Sequence, residues 1–173
     1  MFCNNILARN ELAMNKKVKL DSVDRHILHD LQKDGRITNV ELAKNAGISA
    51  PPCLRRVRTL EEEGVIKGYH ADIDAEALGY AVTIFAFVGL TSQAESDLQQ
   101  FEQLAGQWDN VRECHMLMGE TDFLLKIVAH DWDDFQRFLT TNLTPAPNVS
   151  HVKTALSIRS HKNLPGVPIQ IDG

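Results

Sequence analysis

The chain has 173 residues, 43% of them hydrophobic and 24% charged, and a net charge of −5, which allows one ordinary domain or two small ones with real cores. No run approaches the roughly 18–20 apolar residues of a membrane span, and the N-terminus lacks the apolar stretch and cleavage site of a secretory signal; a soluble, cytoplasmic protein without a membrane partner is expected. The charge is split, with 12 Lys+Arg against 9 Asp+Glu in residues 1–70 and 6 against 14 in residues 71–173, so any phosphate contact belongs to the amino-terminal end.

Residues 1–19 have weak periodicity and a Lys16-Lys17-Val18-Lys19 cluster; they are expected to form a mobile arm, with Met14 as an alternative start. From there Leu20, Val23, Ile27 and Leu31, widened by Leu28, recur at helical spacing until Asp34-Gly35 stops the helix. Thr38 and Glu41 make a capping-box start for a second, short helix with Val40, Leu42, Ala43 and Ala46 as its apolar side. Gly47 supplies a tight turn. Ser49 is placed to cap a third helix, whose first turn tolerates Pro51 and Pro52 because the amides there have no helical acceptor to lose.

On that third helix, at 100° per residue from Cys53, Val57 and Leu60 turn inward while Pro51, Arg55 and Arg58 point roughly opposite, with Arg56 and Thr59 on the flanks. A helix-turn-helix aimed at double-stranded DNA follows. Its candidate contacts are Ser49, Pro51, Pro52, Arg55, Arg56 and Arg58: hydroxyls and helix starts suit phosphate, and an arginine fork reaches guanine O6 and N7. Arg55 is the first choice by direction. The alternative is a solvated basic face with Glu61–Glu63 pairing back to Arg58. Thr38 and Asn39 serve either as backbone-phosphate contacts or as a cap. A short extended piece, Val65–Tyr69, closes a winged or near-winged domain over residues 20–70.

Residues 71–79 read as a linker to a second domain over residues 80–162, followed by a tail, 163–173. Tyr80–Thr91 is an extended run apolar on both alternating faces, which implies burial on both. A helix over Ala94–Ala105 turns Leu98, Phe101 and Leu104 inward. Strands Val111–Met118 and Phe123–Ala129 flank the hairpin turn Gly119–Asp122. A helix over Asp131–Leu143 carries Trp132, Phe135, Phe138 and Leu139 and ends at Pro145 and Pro147, and a last strand spans Val149–Ser160. The predicted fold is α+β: the helix-turn-helix domain followed by a ferredoxin-like βαββαβ domain. Two helices cover one face of such a sheet, and a second copy of the chain is the economical cover for the other.

Cys3, Cys53 and Cys114 are an odd number without CxxC spacing, so buried reduced thiols are expected rather than disulfides or metal ligands. His115 stands near Cys114 and Asp122, but adjacent strand residues face opposite ways, and no metal site is expected. No phosphate loop, nucleophile elbow or metalloprotease pattern occurs. Neither catalysis nor a cofactor is expected.

The run LDSVDRHILHDLQKDGRITNVELAKNAGIS, Leu20–Ser49, continuing as PPCLRRVRTLEEEGVIKGYHADID, resembles the Lrp/AsnC family, the leucine-responsive and asparagine-activated feast/famine regulators of bacteria and archaea. ECHMLMGETDFLLKIVAHD, Glu113–Asp131, is similar to that family's effector-sensing domain, and SAPPCLRRVR is closest to the leucine-responsive branch. The resemblance covers residues 20 to about 162. It implies a transcriptional regulator that dimerises, assembles further into tetramers or octamers, bends promoter DNA, and answers to an amino acid, with genes of amino-acid metabolism as its expected targets. It also implies an effector set on the family's glycine-to-aspartate loop between neighbouring dimers: Leu117, Met118, Gly119, Glu120, Thr121 and Asp122. Glycine lets a ligand approach the main chain, Asp122 suits an α-ammonium group, and Leu117 and Met118 offer an apolar wall. Thr121 stands where many members carry an aromatic or small apolar residue, so effector identity stays open, and a plain polar turn is the alternative. Two other functions remain beside the regulator: an architectural DNA-binding protein of weak sequence preference, and a small-molecule sensor or enzyme whose helical domain binds a protein. The charge split and the outward arginines speak against the last.

Overall fold

In the computed structural model, which describes residues 18–171, the chain divides into two units, one running to Ala71 and taking in the segment from Leu164, the other Asp72–Asn163. The expected arm, with Cys3, Met14, Lys16 and Lys17, lies outside the described residues apart from its last two.

The first unit is built on caps. Helix α1, Ser22–Lys33, starts at Asp21, whose carboxylate accepts from the Asp24 amide (2.9 Å) while Asp24 accepts from the Asp21 amide (3.2 Å). Each acid satisfies an amide that the helix start leaves without a partner. Helix α2, Asn39–Asn45, starts the same way from Thr38 and Glu41. Gly47, at φ +69°, makes the turn into helix α3, Ala50–Glu62. Ile27, Leu42, Ala43, Cys53 and Leu60 form the core, with Val23, Leu31 and Val57 packed on it.

One expectation needs correction here. Val40 is 69% exposed, because it lies two residues, or 200° of helix, before Leu42, on the opposite side from the core. The Val65–Tyr69 piece that follows α3 is non-helical and joins no ladder. The amides of Val65 and Ile66 both turn back to the Leu60 carbonyl (2.9 and 3.0 Å), which ends α3 and directs them away from any strand partner. The segment from Leu164 belongs to the same unit, where Gln32 Nε2 on α1 donates to the Val167 carbonyl at 2.9 Å.

The second unit begins with a 3₁₀ turn at Glu76–Leu78 inside the expected linker. It then runs β1 (Val82–Leu90), α4 (Glu95–Ala105), β2 (Val111–Met116), β3 (Phe123–Ala129), α5 (Trp132–Phe138) with a π turn at Leu139–Leu143, and β4 (Val149–Leu156). The sheet order is β2-β3-β1-β4, every neighbouring pair antiparallel. This is the split βαβ order.

Under the helices lie Ile84, Ala86, Val88, Leu125 and Ile127, closed by Phe101 and Phe135. On the opposite sheet face Phe85, Phe87, Leu124 and Val128 are only half-buried, so burial of β1 on both sides is not completed within one chain. β2 and β4 stop at Met116 and Leu156, short of the expected Met118 and Ser160. Trp132 is 49% exposed, its ring tilted at 50° against Phe135 with centroids 5.4 Å apart in the first turn of α5. Cys53 is a buried free thiol, whereas Cys114, on the edge strand β2, is exposed. No helix among the described residues is long and apolar enough to cross a membrane.

Candidate functional site

The outer face of α3 carries Pro51, Arg55 and Arg58, all exposed. Among the described residues the Arg55 and Arg58 side chains make no ion pair or hydrogen bond. The alternative that Glu61 pairs back to Arg58 is not realised: Glu61 Oε1 accepts from the Tyr69 hydroxyl at 2.9 Å. Burial, and then the Glu61 carboxylate, push that phenol up to about 12.

Ser49 occupies the N-cap position of α3 and makes no capping bond. The reason is local chemistry. An N-cap oxygen serves amides two and three residues on, and those belong to Pro51 and Pro52, which have none. The exposed hydroxyl is therefore left to an outside partner. The same prolines remove two of the donors that a helix start offers an anion, so the expectation of an amide-rich phosphate seat contracts to Ser49 and its neighbours. Pro51 and Pro52 shape the entry to the helix.

Three of the sequence-predicted residues are tied up inside the unit. Thr38 Oγ1 accepts from the Glu41 amide and donates to Glu41 Oε2 at 2.7 Å. Asn39 Nδ2 braces the start of α3 by donating to the Ala50 carbonyl at 2.9 Å, while its Oδ1 is buried without a partner among the described residues. Arg56 Nη1 donates to Asp24 Oδ1 (2.7 Å) and to Asp21 Oδ2 (2.8 Å). The Asp24 amide first, and then Arg56, hold the Asp21 carboxyl below the usual carboxylate range. Arg56 thus pins α3 to the start of α1. Lys19, at the entry to the unit, lines an open cleft with Arg55, Arg56 and Thr59, whose lining also holds the carboxylates of Asp24 and Glu63. The residue that sequence reading passed over is Leu54, 41% exposed; its place one step round from Cys53 on the helical wheel was the available signal.

The second candidate, residues 117–122, is a six-residue connection between β2 and β3 rather than a tight turn. It closes with the Leu117 amide donating to the Asp122 carbonyl (2.7 Å), and the Asp122 amide donates to the Val88 carbonyl (2.9 Å). The β1–β3 pairing ends at Val88 and Phe123, so the Leu90 amide, two residues on and facing the same side as Val88, has no partner in β3. Asp122 Oδ2 accepts that amide at 2.6 Å. Half of this carboxylate is thus committed to the fold, a role absent from the sequence reading. Oδ1 makes no hydrogen bond among the described residues. Met118 is 83% exposed, Leu117 and Glu120 are exposed, and Thr121 is half-buried. Among the described residues, its two chain neighbours aside, no atom lies within 4 Å of where a Cβ would sit at Gly119, so the main chain there is open to approach.

Comparison with known proteins gives consistent results. Residues 20–67 match the winged helix-turn-helix DNA-binding family, and residues 83–167 match the Lrp/AsnC ligand binding domain. The chain is 52% identical over 147 residues to the leucine-responsive regulatory protein of Rhizobium meliloti (strain 1021), covering 85% of this chain and 94% of that one. A transcriptional regulator from Neisseria meningitidis, solved as its L-Met complex, superposes with a TM-score of 0.82 at 31% identity, over 87% of this chain and 97% of that one. A feast or famine regulatory protein from M. tuberculosis, complexed with L-methionine, gives 0.72 at 28% identity, over 85% and 100%.

Proposed function

The chain belongs to the Lrp/AsnC family of DNA-binding transcriptional regulators, and from that membership we propose a division of labour among its residues. Arg55 and Arg58 reach base edges from α3, Ser49 meets a backbone phosphate at the helix start, and the 117–122 loop takes an amino-acid effector. The observation that carries the first part is the pair of exposed arginines without an internal partner, on a helix whose third arginine is pinned in place. Thr38 and Asn39 hold the turn, and their effect on DNA is indirect.

The effector reading draws support from the two neighbours solved with methionine and from the loop itself. Leu117 and Met118 supply an apolar wall, the open main chain at Gly119 supplies approach, and the uncommitted oxygen of Asp122 suits an α-ammonium group. The half-buried apolar sheet face supports a homodimer, and further assembly to tetramers or octamers follows the family resemblance. A ligand held where dimers meet changes DNA binding by favouring the assembly state it binds better. The protein acts in the cytoplasm, without catalysis.

The test is a titration of selected and random duplexes with wild type, Arg55→Ala and Arg58→Ala, alongside sedimentation with each amino acid at millimolar level. Base reading requires a larger loss on the selected duplex than on the random one. Equal losses reduce both arginines to phosphate contacts, and a small selected-to-random ratio for wild type makes the protein architectural. If no amino acid changes either assembly or affinity, the effector part falls.

A further inference from the structure

Leu54 is the fifth residue of α3 and is 41% exposed, yet it is absent from the core that Cys53, Val57 and Leu60 enter from the same helix. Its direction lies 100° round from Cys53, only 40° from Arg58 and 60° from Pro51, so it shares the face that carries the unpartnered arginines. An exposed leucine is unremarkable on most surfaces. Here it is a large apolar side chain in the second turn of a recognition helix, the part from which side chains reach base edges. In the major groove the base feature that suits such a group is the 5-methyl of thymine, which distinguishes T·A from the other pairs without a hydrogen bond.

We propose that Leu54 is a specificity residue that packs on a thymine 5-methyl group in the major groove, next to the base pairs addressed by Arg55 and Arg58. The neighbouring cations fix the occupant as duplex DNA: Arg58 lies one turn on from Leu54 and Arg55 beside it, and a helix meant for a protein groove would present a further exposed apolar anchor one turn on, where this one presents Arg58 and packs Val57 on its own core. The inference rests on the DNA-reading assignment of α3, and adds to it a preference that arginine alone does not give.

The probe is the tightest duplex that wild-type protein selects from a random pool, with each thymine replaced singly by deoxyuridine, which removes one methyl and leaves base pairing intact. For wild type, one substitution lowers affinity by about three- to fivefold, the scale of one buried methyl group. Leu54→Ala loses that penalty at that position only, and Leu54→Met, which keeps an apolar reach, retains it. Thermal melting confirms that both variants are folded. If no deoxyuridine costs wild type affinity, or if the penalty survives in Leu54→Ala, Leu54 does not read a methyl, while a selected duplex that still binds leaves the DNA reading of α3 intact. If wild type selects no duplex over random DNA, the reading of α3 falls, and this inference with it.

Discussion

Asp122→Ala separates the observed role of one carboxylate in the fold from its proposed role toward an effector. In the wild-type chain Oδ2 accepts the Leu90 amide at 2.6 Å, at the point where the β1–β4 ladder shifts register. Alanine leaves that part-buried amide without an acceptor, at a cost of about 1–2 kcal/mol for an unsatisfied buried donor. For a domain of this size each kcal/mol moves Tm by about 4–8 °C, so a drop of about 5–15 °C is expected in thermal unfolding followed by circular dichroism. Asp122→Asn keeps an oxygen for Leu90 and should lose less than half as much. It removes the negative charge, however, and so should weaken amino-acid binding measured by calorimetry while the protein remains folded. The reasoning is refuted if Asp122→Ala melts with wild type, or if the asparagine variant is destabilised as much as the alanine one.

Ser49→Ala should change stability by less than about 0.5 kcal/mol in urea unfolding, because the usual N-cap contribution of about 1 kcal/mol needs an amide that Pro51 and Pro52 do not have; Thr38→Ala, which breaks a formed capping box, should cost about 1 kcal/mol. Arg56→Met should lower the urea midpoint without a selective effect on one DNA sequence, whereas Arg55→Ala should cost about 1–3 kcal/mol on the selected duplex with no change in melting. Glu113 tests the pH dependence: Lys126 first, and then His115, hold its carboxyl below the ordinary 4.5. A depressed folded value means that its stabilisation is complete above the unfolded value and is lost as pH falls through the folded one. Wild type and Glu113→Gln should therefore differ by a few tenths of a kcal/mol at pH 7, the scale of an exposed pair, and should converge below about pH 4; a gap that stays constant from pH 7 to 3 would remove the ion pair as its cause.

The helical domain was legible because its signals are local. The Thr38–Glu41 capping box, Gly47 and the Cys53–Val57–Leu60 stripe each act within one or two turns, and the structure places all of them as read. The βαββαβ order was legible for the same reason, from changes of period along the chain. Val40 shows where such reading errs: an apolar residue was counted toward the core although its angle sets it opposite Leu42. The helical wheel sets Arg56 on the flank of α3, but nothing nearby in the chain marks its carboxylate partners on α1.

What sequence alone determined is the order of elements, the inward and outward faces of α3, and the family. Tertiary structure decided which polar groups remain available. Arg56 meets Asp21 across 35 residues, and Leu90 meets Asp122 across 32. Those pairings commit one arginine of α3 and half of one carboxylate of the 117–122 loop to the fold. Periodicity reports which way a side chain points, whereas a hydrogen bond needs two groups within about 3 Å, and only the packed chain brings distant residues that close.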